Sequence, residues 1–145
     1  MPTSMTLRIV MDTNVLIAGL RSRRGASFRL LRLLGRSSFQ TVVSVPLVLE
    51  YESVCKRQSR SIGLTYSDID DILDYLCRIS DQRQIFYLWR PLLRDPGDDM
   101  VLEVAVEAEA EFIVTFNLRD FAGAERFRLR VVTPYAFLRH IGEVP

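Results

Sequence analysis

Arg8-Ile9-Val10-Met11-Asp12-Thr13-Asn14-Val15-Leu16 is the stretch on which the fold turns. An apolar run of strand character ends on a carboxylate, and Thr13 and Asn14 behind it are good helix-capping residues. An acid at the carboxyl end of an early strand stands where open α/β sheets place their ligands and chemistry. Taken alone, Asp12 or Thr13 has an equally simple reading as the cap of the following helix. The rest of the chain decides between the two.

Working outward, strand and helix patterns alternate. Leu7–Met11 reads as a buried strand and Asn14–Leu20 as a helix, followed by the basic loop Arg21-Ser22-Arg23-Arg24-Gly25. Ser27–Leu34 has apolar residues at helical spacing and is stopped by Gly35. Phe39–Val43 is a strand rich in β-branched residues. Pro46 then opens a helix to about Gln58, with Ser44 or Val45 as its cap. Thr65 and Ser67, each followed three residues later by an acid (Asp68, Asp70), are capping-box patterns for a helix through Ile79.

Gln84–Trp89 fits a short strand or a loop. Asp98 is placed to cap a helix Asp99–Ala108, with Val101, Ala105 and Ala108 on one face and Glu103, Glu107 and Glu111 on the other. Glu111–Thr115 is a strand, Val131-Val132 a short last strand, and Pro134–Ile141 a closing helix. Strands alternating with helices predict an α/β domain, a short twisted parallel β-sheet flanked by helices. At 145 residues the expectation is one domain over 1–145.

Composition bounds the function. Apolar residues make up 48% and charged residues 26%, as in a soluble globular chain. No apolar run approaches the roughly 20 residues that span a bilayer. Met1–Thr6 lacks a basic region followed by an apolar stretch, so no signal peptide is expected. Cys55 and Cys77 fit no disulfide or C-x-x-C pattern, which predicts a reducing, cytoplasmic setting.

The net charge of +1 hides an asymmetry. Residues 1–63 hold ten basic residues against three acids, a net of +7; residues 64–145 hold nine against fifteen, a net of −6. A basic half that also carries candidate catalytic acids suits a polyanionic substrate. The bias of the basic residues toward arginine, 18 of 19, weakens that argument, since it has a purely compositional reading.

Reactive residues are scarce, so elimination is informative. His140, the sole histidine, falls in the last predicted helix, where a structural role outweighs a catalytic one. Zinc-type Cys/His clusters, phosphate-binding Gly loops and the dinucleotide fingerprint are all missing from the sequence. Carboxylates remain: Asp12, Glu50, Asp95, Asp98, Asp99 and Asp120.

Asp12 ends the first strand, Asp98 and Asp99 open a helix, and Asp120 follows the strand ending at Thr115. In a parallel sheet those loops share one edge. Converging carboxylates repel one another unless cations neutralise them. All-oxygen clusters select hard ions, Mg²⁺ or Mn²⁺, which keep waters and bind substrate phosphates. Such ions activate water and stabilise phosphodiester displacement. Glu50 lies in the apolar setting Val45-Pro46-Leu47-Val48-Leu49-Glu50-Tyr51, whereas Glu52 has Lys56 at i+4. Glu52 is therefore expected in a solvated pair and Glu50 in the functional role.

The order Val10-Met11-Asp12-Thr13-Asn14-Val15, Pro46–Tyr51, Arg94-Asp95-Pro96-Gly97-Asp98-Asp99-Met100-Val101-Leu102 and Ile113–Phe121 resembles the PIN-domain ribonucleases, and within them the VapC-like toxin components of toxin–antitoxin pairs. The likeness covers nearly the whole length. It implies a PIN-like fold and a divalent-metal endoribonuclease (Mg²⁺ or Mn²⁺) that leaves 5′-phosphate and 3′-hydroxyl ends.

By position, the resemblance makes Asp12 the first metal ligand and Glu50 the acid that holds or orients the attacking water. Asp98 becomes the third acid, with Asp99 a neighbour binding through water. Many relatives have Asp where this chain has Asn117. Asp120, three residues on, either replaces that carboxylate as a metal-binding catalytic acid or leaves a three-acid site with Asn117 as a neutral ligand. Thr13, Asn14, Thr115 and Asn117 would orient the ligands. Arg21, Arg23 and Arg24 are candidates for RNA phosphate contact, against the plain reading of a solvated loop. The resemblance also implies an RNA substrate, a cognate antitoxin and a homodimer, with no membrane partner.

Other classes fit less well. Aspartyl-phosphate phosphatases need a second Asp where Asn14 stands, and they and receiver domains use a lysine near the phosphoryl site. The sole lysine, Lys56, lies mid-helix beyond Glu50. A catalytically silent PIN-like module that binds RNA or a partner stays open because of Asn117, as does an RNA-processing nuclease without an antitoxin.

Overall fold

The computed structural model describes residues 6–36, 38–84 and 96–145. β1 (Leu7–Met11), β2 (Phe39–Ser44), β3 (Asp81–Arg83), β4 (Phe112–Val114) and β5 (Arg130–Val132) form one parallel sheet in the order β3-β2-β1-β4-β5. β1 is the central strand, and its Ile9, Val10 and Met11 are buried. A strand covered on both faces reads as a continuous apolar run rather than an alternating one. Met11 pairs with Val114 across the β1–β4 boundary, so the two strands end side by side.

Helices α1 (Thr13–Arg21), α2 (Ala26–Arg32), α3 (Val45–Arg57), α4 (Ser59–Ile62), α5 (Tyr66–Ile79), α6 (Pro96–Glu107) and α7 (Pro134–His140) flank the sheet. Local chemistry sets most of their ends. The Ser44 side chain accepts from the Leu47 amide at the start of α3. Thr65 and Asp68 form the reciprocal capping box of α5, at 3.0 Å in both directions. The bond from the Thr65 amide, and then one with the Thr65 side chain, hold the Asp68 carboxyl below its usual range. Gly63 closes α4 at φ 73°, a conformation a β-carbon disfavours.

Three expectations shift. α6 begins at Pro96 rather than Asp99, so Asp98 sits in its first turn and does not cap it. Proline suits the first helical position because the amide it lacks has no intrahelical partner there. Acids in that first turn also favour the helix dipole. Glu103, expected on a solvent face, is buried; α6 packs on β1, β2, β4 and α3, which leaves Glu107 as the outward acid. β3 lies at Asp81–Arg83, ahead of the expected Gln84–Trp89, of which residues 85–89 lie outside the described residues. α4 and two 3₁₀ turns, Leu118–Phe121 and Ala124–Phe127, occupy stretches the sequence reading left as connections.

The two cysteines are free thiols, and burial pushes Cys55 up to about 11. Among the described residues no helix is long and apolar enough to cross a membrane. α7 is pinned by Phe137, whose ring meets Phe39 at 5.2 Å and Phe112 at 5.3 Å, both edge-on. Phe137 is fully buried. Phe137→Ala should cost about 3–5 kcal/mol through the cavity it leaves, read as a lowered urea midpoint at unchanged slope.

Candidate active site

From β1 the chain builds outward to β2 and β3, then returns to place β4 on the other side of β1. That reversal opens a crevice beyond the carboxyl ends of β1 and β4. Asp12 follows β1 and Thr115 follows β4, so the two residues face each other across it. The Asp12 amide continues the ladder to Val114 O at 2.9 Å. Its carboxylate accepts from the Thr13 amide at Oδ1 (2.8 Å) and from the Thr115 hydroxyl at Oδ2 (2.7 Å). Thr115 Oγ1 in turn accepts from the Asn117 amide at 3.0 Å.

Asp12 thus caps α1 and also stands at the switch point. The two readings of the sequence were never exclusive, because an ionised carboxylate has about four acceptor positions.

A cleft of about 480 Å³ opens here. Asp12, Thr13 and Asn14 line it from the β1–α1 junction, Glu50 from α3, Gly97 and Asp98 from α6, and Phe116, Asn117 and Asp120 from the segment after β4. The 3₁₀ turn at Leu118–Phe121 explains the last pair. The Asp120 amide bonds to Asn117 O at 3.0 Å, and side chains three apart eclipse in 3₁₀ geometry. Asn117 and Asp120 therefore reach the same cleft, with Phe121 buried beneath as the anchor.

Glu50 is placed by its neighbour, a residue the sequence reading passed over. Tyr51 is fully buried, and its hydroxyl donates to Met11 O at 2.5 Å. That bond ties α3 to the end of β1, one residue before Asp12. Burial first, and then the nearby Asp12 carboxylate, push the Tyr51 phenol well above its ordinary value, so it remains a donor. The signal in the sequence was a tyrosine on the apolar stripe of a helix, since a buried phenol needs a partner. Glu52 takes the other expected role, pairing with Lys56 at 2.9 Å; Lys56 also meets Asp70 of α5 at 2.8 Å.

Other expectations are not brought to the cleft. Asp99 is buried one position along α6 and is not among the residues that line it. Of the three loop arginines only Arg21 lines the cleft; Arg23 and Arg24 are exposed elsewhere. α1 ends at Arg21, and the chain then swings away as an extended segment at Ser22. Asp95 lies outside the described residues. His140 packs on the Phe112 ring at 4.9 Å and takes no part in the cleft.

The donors are carboxylate, amide and hydroxyl oxygens, which suits a hard cation and excludes a thiolate–imidazole zinc site. Among the described residues no three acids stand close enough to ligate one ion together. The arrangement fits an ion held by one or two carboxylates that keeps several waters, as Mg²⁺ does.

The PIN domain family profile matches residues 8–119, and the chain belongs to the PIN-domain family. PIN domains are generally nucleases and typically use divalent metals. Among solved structures the fold is similar to that of VapBC2 from Rickettsia felis, crystallised with a DNA fragment from its promoter. The match has a TM-score of 0.57 at 13% identity, over 86% of this chain and 97% of that one. At that identity the likeness is one of fold. No curated protein matches the chain.

Thr115→Val keeps the shape and deletes the hydroxyl between Asp12 and the Asn117 amide, at a position with no exposure. The buried Asp12 carboxylate and the part-buried Asn117 amide lose a partner, so stability should fall by about 1–3 kcal/mol in urea unfolding.

Proposed function

We propose that this chain is a divalent-metal-dependent endoribonuclease of the VapC-like kind, the toxin of a toxin–antitoxin pair. The observation that carries the reading is the gathering of Asp12, Glu50, Asp98 and Asp120, from four separate segments, on one cleft at the β1–β4 switch point. A domain with no such chemistry has little reason to place four acids together, because like charges repel there.

In this reading Asp12 and Asp98 would hold Mg²⁺ or Mn²⁺, with Asp120 reaching the ion through one of its waters in place of the acid that Asn117 lacks. Asp99, the neighbour of Asp98, would act through water, since it does not itself line the cleft. The bound ion would neutralise the acids and lower the pKa of water. Glu50 orients the attacking water and accepts its proton. Water oxygen bonds to phosphorus as the bond to the 3′ oxygen breaks, which leaves 5′-phosphate and 3′-hydroxyl ends. Thr115 and the Thr13 amide hold the Asp12 carboxylate in one orientation, while Asn14 and Asn117 fix the loop around it.

Arg21 supplies positive charge to RNA phosphate at the edge of the cleft. A cytoplasmic site of action agrees with the free thiols of Cys55 and Cys77. The antitoxin is suggested by the fold neighbour, which is a VapBC complex. A homodimer is the expected assembly, checked by light scattering.

Cleavage of a structured RNA pool with Mg²⁺ or Mn²⁺, comparing wild type with Asp12→Asn, tests the reading. Wild type should cut and the variant should lose at least about a hundredfold in rate, the scale of removing one electrostatic group from such a site. EDTA should abolish cutting. Equal cutting by both proteins would sink the assignment, and RNA binding without cutting would favour a silent RNA-binding module.

A further inference from the structure

Part of the positive charge of the first half gathers away from the cleft. Between Asp12 and Glu50 the sequence holds six arginines and no acid. Arg21 lines the cleft, whereas Arg29, Arg32 and Arg36 line a second recess of about 190 Å³ together with Leu33, Leu138 and Glu143. Arg29 and Arg32 lie on α2, Arg36 follows its end, and α2 packs against α7, which carries Leu138. The recess and the cleft share no residue.

The two also stand at opposite edges of the sheet. α7 starts after the carboxyl end of β5 and runs back, so that Phe137 meets Phe39 and Phe112, the first residues of β2 and β4. Leu138 is next to Phe137, and Arg36 shortly precedes the start of β2. The recess is therefore at the amino edge. The length of β1, five residues or about 16 Å at the strand rise, separates it from the cleft.

Its three guanidiniums are exposed and carry no counter-charge. Among the described residues no carboxylate lies within ion-pair distance of any of them. Arg32 lies over the Phe28 ring at 6.0 Å, a contact that leaves its N–H groups for an acceptor. Glu143 is the one acid on the recess, against three bases. Like charges three and four positions apart along a helix repel, a cost to folding that a bound anion offsets. The surroundings select the kind of anion. Among the described residues no large apolar side chain is exposed on α2. A protein partner would need such an anchor, whereas arginines alone suffice for phosphate oxygens.

We infer that the α2–α7 recess is a second nucleic-acid site, which grips the phosphate backbone of RNA at the sheet edge opposite the cleft. Arg29, Arg32 and Arg36 contact phosphates, and Glu143 weakens the grip by like-charge repulsion. That the strand is RNA rests on the ribonuclease reading of the acids; the recess adds a hold on it far from the reacting bond. Phosphate contacts carry no sequence information, so this hold should accept any strand and weaken steeply with salt.

Fluorescence anisotropy with a labelled oligouridine of about 20 nucleotides, longer than a single-strand site usually takes up, tests this in EDTA over a range of KCl. Arg29→Gln, Arg32→Gln and Arg36→Gln together should weaken binding on the order of tenfold and lower the salt slope by about two, at roughly 0.7 per phosphate contact. Lysine at the same three positions should keep most of the affinity, since a point charge also meets phosphate. Glu143→Gln should tighten binding about twofold, and Glu125→Gln, an exposed acid off the recess, should not. The charge-matched control Arg78→Gln, Arg126→Gln and Arg128→Gln alters exposed residues that line neither site and should lose at most about twofold. The loss in the recess triple should persist in an Asp12→Asn background, because distant sites act additively. All these arginines are exposed, and an unchanged thermal midpoint checks that the variants fold.

A wild type that does not bind, a recess triple that binds as tightly as wild type, or an equal loss in the control triple overturns the inference. So does a loss that vanishes in the Asp12→Asn background. Competition by poly-glutamate as strong as by oligouridine of equal charge overturns phosphate as the ligand and points to an acidic protein. A loss in the recess triple together with a wild type that never cuts RNA would remove the ribonuclease reading and leave the recess as a nucleic-acid site. Cutting by wild type with unchanged binding of the recess triple would do the reverse.

Discussion

The hydrogen bond from the Thr115 hydroxyl to Asp12 Oδ2 spans the one place where the sheet changes direction. β1 and β4 are far apart in sequence and adjacent in space, and each ends one residue before a member of this pair. The parallel register of Met11 with Val114 brings the two side chains level. Asp12 spends its other oxygen on the first amide of α1. One carboxylate therefore fixes a strand end, a helix start and the loop after a second strand. The same buried environment that makes an unpaired charge costly makes this fully directed one rigid.

The rest of the cleft is built by tying further segments to that point. Tyr51 reaches under the site to the carbonyl before Asp12 and carries Glu50 with it. The 3₁₀ turn after β4 eclipses Asn117 with Asp120, so an acid displaced by three residues in the sequence arrives at the same wall. α1 and α3 both start at the sheet's carboxyl edge, and they meet again at their far ends through Arg21 and Gln58. The polarity of the groove follows from this. Acids gather where helices begin, and a base lies in the last turn of α1, the arrangement the helix dipole favours.

Much of this was legible from residue patterns. The strand Leu7–Met11, the capping box at Thr65 and Asp68, and the pairing of Glu52 with Lys56 all follow from local rules and appear in the structure as expected. Pattern reading failed where burial is decided by neighbours distant in sequence. Glu103 looked solvent-facing on its own helix, yet α6 is enclosed on nearly all sides. Asp98 looked like a cap, but Pro96 starts the helix earlier. Arg21, Arg23 and Arg24 looked equivalent in a basic loop, and only the one still on α1 faces the cleft.

By itself the sequence determined the class of fold and the supply of chemistry. Strand and helix periodicities, caps and breakers act over a few residues, and the scarcity of other reactive groups left only carboxylates to work with. The tertiary structure alone decided which of those carboxylates share a cleft. Asp12, Glu50, Asp98 and Asp120 converge while Asp99, adjacent to Asp98, does not line the cleft, because convergence depends on strand order and helix rotation. Those are set by packing between segments that no local spacing relates. The tyrosine and threonine that hold the site's backbone and the Asp12 carboxylate in place acquired their roles only there.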